Sequence, residues 1–179
     1  MSQLEIREKL EAAIDYLTKN PAEAGYTDSP ATARLVDPQG LKVDVRGPDD
    51  GRITTDMPTA VGGTNTSQSP GWYLRAAEAS CVATLIAMRA AQEGVALQEL
   101  EVTVDSDSDD RGILGISDEV PAGPLLTRIR VRVREAHVDD EDDIVWDTIV
   151  HWAVEHCPVI DAVRRAVPVT VEIMTNEDD

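Results

Sequence analysis

"SPGWYLRAAEASCVATLIAM", residues 69–88, sets a cysteine in the middle of an apolar helical run. Ser69 offers an N-cap, and Pro70 suits the first helical position because its missing N–H is not needed there. Leu74, Ala77, Cys81, Leu85 and Met88 then recur at helical spacing on one stripe, and Gly94 marks the end. The spacing predicts a central helix with the thiol about three turns inside it.

Working outward, the upstream segments 31–36, 41–45 and 52–55 read as short strands joined by "DPQG" and "GPDDG", an antiparallel meander followed by a loop over 56–68. Earlier still, Leu4, Leu10, Ala13, Ile14 and Leu17 repeat as an amphipathic helix capped by Ser2 and closed before Pro21. Downstream, 97–104 is a strand, an acidic loop runs to Pro124, and "LTRIRVRVREA" alternates with the period of a half-buried strand. Residues 142–156 suit a helix, Cys157-Pro158 opens a further short one to Arg165, and "VPVTVEI", 167–173, reads as a closing strand. The sum is an α+β fold with largely antiparallel pairing.

The chain has 179 residues, enough for one well-buried core with a small appendage. Sixteen basic against 34 acidic residues leave a net charge of −18, a field that repels nucleic acid and anionic membranes. Acid gathers at 105–110, 139–143 and 177–179 as solvated faces. No window approaches the roughly 18 apolar residues of a membrane span. The first residues are charged throughout instead of having the apolar centre of a signal peptide, which places the chain in the cytoplasm.

Two cysteines, Cys81 and Cys157, are the first candidates for chemistry, either as two buried thiols or as a redox pair. Cys81 lies beyond the reach of its helix N-terminus, so its position alone leaves the thiol unactivated. Cys157, with Pro158 after it, sits at an N-cap where free backbone N–H groups favour a thiolate. Glu78 and Arg75 either mark the wet edge of the helix or flank Cys81 with a carboxylate and a cation. Arg128, Arg130, Arg132 and Arg134 invite an anion-binding reading, but pairing with the strand that carries Glu99, Glu101, Thr103 and Asp105 sets them opposite acidic side chains. Asp105, Asp107 and Asp109 begin like a calcium loop, yet Asp110 stands at the glycine position and Ile116 at the closing glutamate. His151, Glu155, His156 and Cys157 cluster without a zinc spacing.

"TTDMPTAVGGTNTSQSP" leading into "LRAAEASC", then "DDRGILG", "RIRVRV" and "AVEHCPVIDAV" before "VPVTVEI", together resemble the family of osmotically induced protein C (OsmC) and organic hydroperoxide resistance protein (Ohr). The resemblance implies an OsmC-like domain over 29–179 after an N-terminal helical extension over 1–28. It implies antiparallel sheets around a central buried cysteine helix, in a homodimer of intertwined subunits with active sites at their interface. It also implies a thiol peroxidase for organic hydroperoxides or hydrogen peroxide. Cys81 would become the sulfenic acid and Cys157 would resolve it to a disulfide, which an external dithiol reductant protein, lipoyl-type or other, reopens; no bound cofactor is implied. Where hydroperoxide-reducing members carry a glutamate after the helix-opening proline, this chain has Gly71. Glu78 could substitute from another position, and among Arg34, Arg46 and Arg52 the activating cation is assigned to Arg34. Trp72 and Tyr73 could line a peroxide pocket or serve packing. The alternative is a non-catalytic ligand-binding or structural protein of the same fold that has lost the activating glutamate.

Overall fold

The computed structural model describes residues 2–135 and 142–174. The acidic runs at 139–143 and 177–179 lie outside the described side chains. Helix α1, Gln3–Lys19, opens on a capping box in which Ser2 Oγ accepts from Glu5 N while the Glu5 carboxylate accepts from Ser2 N at 2.6 Å. Strands β1 (Thr32–Leu35), β2 (Val43–Arg46) and β3 (Arg52–Thr55) form an antiparallel three-stranded sheet in the order of the chain. Helix α2, Pro70–Glu93, starts where Ser69 Oγ accepts from Trp72 N and ends at Gly94, whose φ of 74° is the left-handed cap that glycine supplies.

Strands β4 (Leu97–Asp107) and β5 (Leu126–Glu135) form a second, two-stranded antiparallel sheet, joined by a loop holding the single turn α3, Asp110–Ile113. The register sets Glu99, Glu101 and Asp105 opposite Arg134, Arg132 and Arg128. Arg128 reaches Asp105 and Asp107 at 2.6 Å, Arg130 reaches Asp105 at 2.5 Å, and Arg132 and Arg134 pair with Glu101 and Glu99. The arginines are therefore spent within the sheet. The Arg128 bridge also carries β4 three residues past the expected end at Val104, because Ser106 and Asp107 keep strand partners in Thr127 and Leu126.

Helices α4 (Asp142–Glu155) and α5 (Pro158–Arg164) complete the described chain. The core is a single cluster in which Val82, Ile86 and Ala90 of α2 meet Trp146, Ile149 and Ala153 of α4, with Cys157 and Ile160 at its far end. The apolar side chains of β4 and β5, Leu100, Val102, Ile129, Val131 and Val133, pack on it.

Two expectations are corrected. The buried stripe of α2 is Glu78, Val82, Ile86 and Ala90 instead of the stripe through Cys81; Ala77 is exposed, and Cys81 and Leu85 are half-buried. The helix is rotated by about one residue because α4 and β4 converge on that neighbouring face. The closing strand does not form among the described residues: Val169, Val171 and Ile173 are 84%, 81% and 80% exposed, and no described strand pairs with them. A strand lacking an edge to pair with leaves its N–H and C=O groups to water.

Ile86→Ala, at the fully buried centre of the cluster, is expected to lower unfolding stability by about 2–5 kcal/mol. Arg132→Ala, on an exposed ion pair, is expected to cost less than about 1 kcal/mol. Urea unfolding of the two variants against the parent reads the contrast.

Candidate functional site

Cys81 sits in the middle of α2, and Cys157 is the N-cap residue of α5. The packing of α4 on α2 delivers Cys157, fully buried, to the half-buried Cys81. Both thiols are free, and they lie close enough for each to influence the other. Burial pushes the Cys81 thiol up, the hydrogen bond to Cys157 pushes it the same way, and a hydrogen bond from the Val159 backbone N–H opposes both. The free N–H of the α5 start thus serves Cys81. Cys157 itself makes no side-chain cap bond, and its carbonyl accepts from Asp161 N at 2.8 Å.

Arg34 lies exposed on β1, opposite Asp44 in the register, and no hydrogen bond or ion pair among the described residues joins it to Cys81. Arg46 and Arg52 pair with each other across the β2–β3 register on the same sheet. The structure brings Cys81 and Cys157 together and leaves the three arginines apart from them within one chain.

Glu78 is buried, only 1% exposed, which overturns its reading as a wet helix edge. Neither carboxylate oxygen has a hydrogen-bond partner. Burial raises its pKa, and the charge of Arg75 only partly offsets that. Arg75 turns aside, with Nη1 donating to Ser106 Oγ at 3.3 Å. Both side chains, with Gly71, line a cavity of about 480 Å3 between the first turns of α2 and the loop after β4. A Cβ on Gly71 would meet nothing closer than 3.9 Å, so the missing side chain leaves room there.

The loop feeding α2 is built around Asp56, a role that its sequence neighbours do not announce. Its buried carboxylate accepts from Met57 N (2.7 Å), Thr64 N (3.2 Å), Thr66 N (2.9 Å) and the hydroxyls of Thr64 (2.6 Å) and Thr66 (3.1 Å). These bonds, the Thr64 hydroxyl first, hold it well below the usual carboxylate range. Gly63 is required because a Cβ there would sit 1.8 Å from the Met57 carbonyl oxygen. Tyr73 clips the helix to β3 by donating to the Thr54 carbonyl at 3.2 Å, and Trp72 packs edge-on against it; neither lines the cavity. The remaining candidates are otherwise engaged: Asp109 holds Arg111, which keeps its pKa at about 2, and His151 and His156 each set Nδ1 2.8 Å from the carbonyl oxygen four residues earlier.

Residues 63–172 match the family model described as OsmC-like protein, so β1–β3 lies outside the matched stretch. Among solved structures, the organic hydroperoxide resistance protein OsmC of Legionella pneumophila is 21% identical with a TM-score of 0.58, covering 79% of this chain and 91% of that one. An OsmC-like protein of unknown function from Vibrio cholerae is 12% identical with a TM-score of 0.64, covering 76% and 94%. An organic hydroperoxide resistance protein from Elizabethkingia anophelis is 16% identical with a TM-score of 0.56, covering 79% and 91%. No curated protein matches the chain. No helix of the described residues is long and apolar enough to cross a membrane.

Two outcomes check this geometry. In a Cys157→Ser background, Val159→Pro removes the N–H aimed at Cys81 and is expected to raise the pH midpoint of Cys81 alkylation; an unchanged midpoint would remove that bond from the account. Asp56 is depressed when folded, so its stabilisation is complete at neutral pH and is lost as pH falls below about 4, the unfolded carboxylate value. Thermal melts of Asp56→Asn should therefore lose less stability than the parent between pH 5 and the acid limit.

Proposed function

The chain belongs to the OsmC-like protein family, and from that premise we propose that it is a thiol-dependent peroxidase for organic hydroperoxides or hydrogen peroxide, with both cysteines in the cycle. The observation that carries the reading is the convergence of the two thiols, Cys81 packing on the core cluster that holds Cys157 and each sulfur influencing the other. The Cys81 thiolate attacks the terminal oxygen of ROOH, the O–O bond breaks, and the alkoxide takes a proton and leaves as alcohol. Cys81 is then a sulfenic acid. The Cys157 sulfur attacks it, water leaves, and a Cys81–Cys157 disulfide forms. An external dithiol returns both thiols and is itself oxidised to a disulfide. No bound cofactor enters the cycle.

Burial holds the Cys81 thiol up, so the attacking thiolate needs a cation, and none among the described residues of one chain is paired with it. We assign that cation to Arg34, presented to the Cys81 of a second copy in a homodimer. The exposed three-stranded sheet that carries Arg34 and the unpaired apolar segment through Val169, Val171 and Ile173 support the dimer, because both offer backbone edges that a second copy could pair with. The proposed location is the cytoplasm, where a dithiol reductant would keep the pair reduced.

The raised pKa of Cys81, together with Gly71 in place of the family glutamate, favours a second reading, a non-catalytic ligand-binding or structural member. Titration of the reduced protein with cumene hydroperoxide and hydrogen peroxide separates the two. Rapid loss of two thiols is expected, with a trapped sulfenic acid at Cys81 in Cys157→Ser and no rapid reaction in Cys81→Ser. Arg34→Ala is expected to slow oxidation about tenfold or more, one pKa unit being a factor of ten in thiolate. Thiols that persist at free-cysteine rates would establish the second reading.

A further inference from the structure

The cavity at the start of α2 holds an unusual pair of charges. Glu78 is 1% exposed, and both its oxygens lack partners, a costly state for a carboxylate in a protein interior. Arg75, one turn away on the same helix, is at the spacing at which opposite charges usually meet, yet the two form no ion pair. Both line one cavity whose other walls include the apolar Met57, Leu74, Ile113 and Pro124. Its volume of about 480 Å3 lies within the roughly 300–1,000 Å3 of small-molecule sites.

A ligand with only an anionic head would satisfy Arg75 but leave Glu78 bare and repel it. A ligand with only a cationic head would satisfy Glu78 but place its charge beside Arg75. A head that carries both charges side by side satisfies both groups. We propose that this cavity binds a zwitterionic α-amino acid with an apolar side chain, its ammonium held by Glu78, its carboxylate by Arg75 and its side chain against Leu74 and Ile113. The hydroxyls of Ser106, Ser108 and Thr127, also in the lining, provide further acceptors and donors for the two head groups. Neither cysteine lines the cavity, so the site stands whether or not the thiols reduce peroxides.

The test is calorimetric titration of the full chain, fully reduced, with L-leucine, with isovalerate, which keeps the acid and lacks the amine, and with isoamylamine, which keeps the amine and lacks the acid. Leucine is expected to bind, and each single-headed analogue to bind at least tenfold more weakly. Glu78→Gln and Arg75→Gln should each weaken leucine to the same degree, while Glu78→Gln raises the melting temperature of the unliganded protein because the orphaned carboxylate is gone. Absence of leucine binding, equal binding of either analogue, or leucine affinity unmoved by both substitutions would overturn the proposal. The analogue series uses the unaltered chain and decides even if a variant fails to fold. Because no step involves peroxide, failure here and failure of the peroxidase reading are read separately.

Discussion

The packing of α4 across α2 is the contact on which the site depends. Val82, Ile86 and Ala90 close on Trp146, Ile149 and Ala153, and the chain leaving α4 reaches Cys157 while still inside that cluster. Each fully buried large apolar side chain in such a core contributes about 1.5–3 kcal/mol. The same burial sets the chemistry of the thiols, since the interior that brings Cys157 to Cys81 also disfavours a thiolate there. Contact and activation therefore pull in opposite directions. The Val159 N–H recovers part of the difference by local means, and a full cation has to come from elsewhere.

The charge distribution narrows where that cation can originate. In a chain with a net charge of −18, most arginines of the described residues are committed to carboxylates: Arg128, Arg130, Arg132 and Arg134 along the β4–β5 ladder, Arg111 to Asp109, Arg89 to Glu93, Arg165 to Asp161 and Arg7 to Glu11. Arg34, Arg46 and Arg52 have no ion pair among the described residues, and all three lie on the β1–β3 sheet. Tyr73 of α2 ties that sheet to the helix through the Thr54 carbonyl, and none of the sheet's residues belongs to the core cluster. Three of the arginines without an ion pair thus share one exposed sheet, while Arg75 and Arg164, also without one, lie on α2 and α5.

Sequence reading succeeded where the deciding chemistry is local. Ser69-Pro70 and Gly94 bracket α2 because caps depend on one or two residues, and the alternation of Arg128 through Arg134 against Glu99 through Asp105 forecasts the ladder because each cross-strand pair has a period of two. It failed where the answer depends on a distant partner. The buried face of α2 includes Glu78, which no polarity rule would place inside, so the stripe was set one residue off. The five bonds to Asp56 come from residues up to ten positions away, and nothing local in "DMPTAVGGTNT" announces them, although Gly63 was the trace of a close approach. The α5 N–H was expected to serve Cys157 because capping rules concern neighbours in sequence, whereas here it serves a sulfur from another helix. The alternation in "VPVTVEI" is a strand pattern that pairs with no edge among the described residues, because pairing is decided by a distant partner and not by the period of the segment itself.

The exchange of a carboxylate between positions 71 and 78 has a geometric meaning. Seven residues bring a helix almost back to the same face, displaced by about 10 Å along its axis. A carboxylate at position 71, an exposed site within the first turn of α2, would ionise readily in water beside the helix N-terminus and could orient a cation. At Glu78 the same group points from the same side but lies buried, beyond the reach of that dipole and without a single donor. The space at Gly71 and the orphaned acid two turns deeper belong to one cavity. A carboxylate so placed cannot act as a water-solvated orienting group for a surface arginine. It is stable as an anion only when something with a donor enters beside it, so the cavity is suited to recognition of a ligand head group.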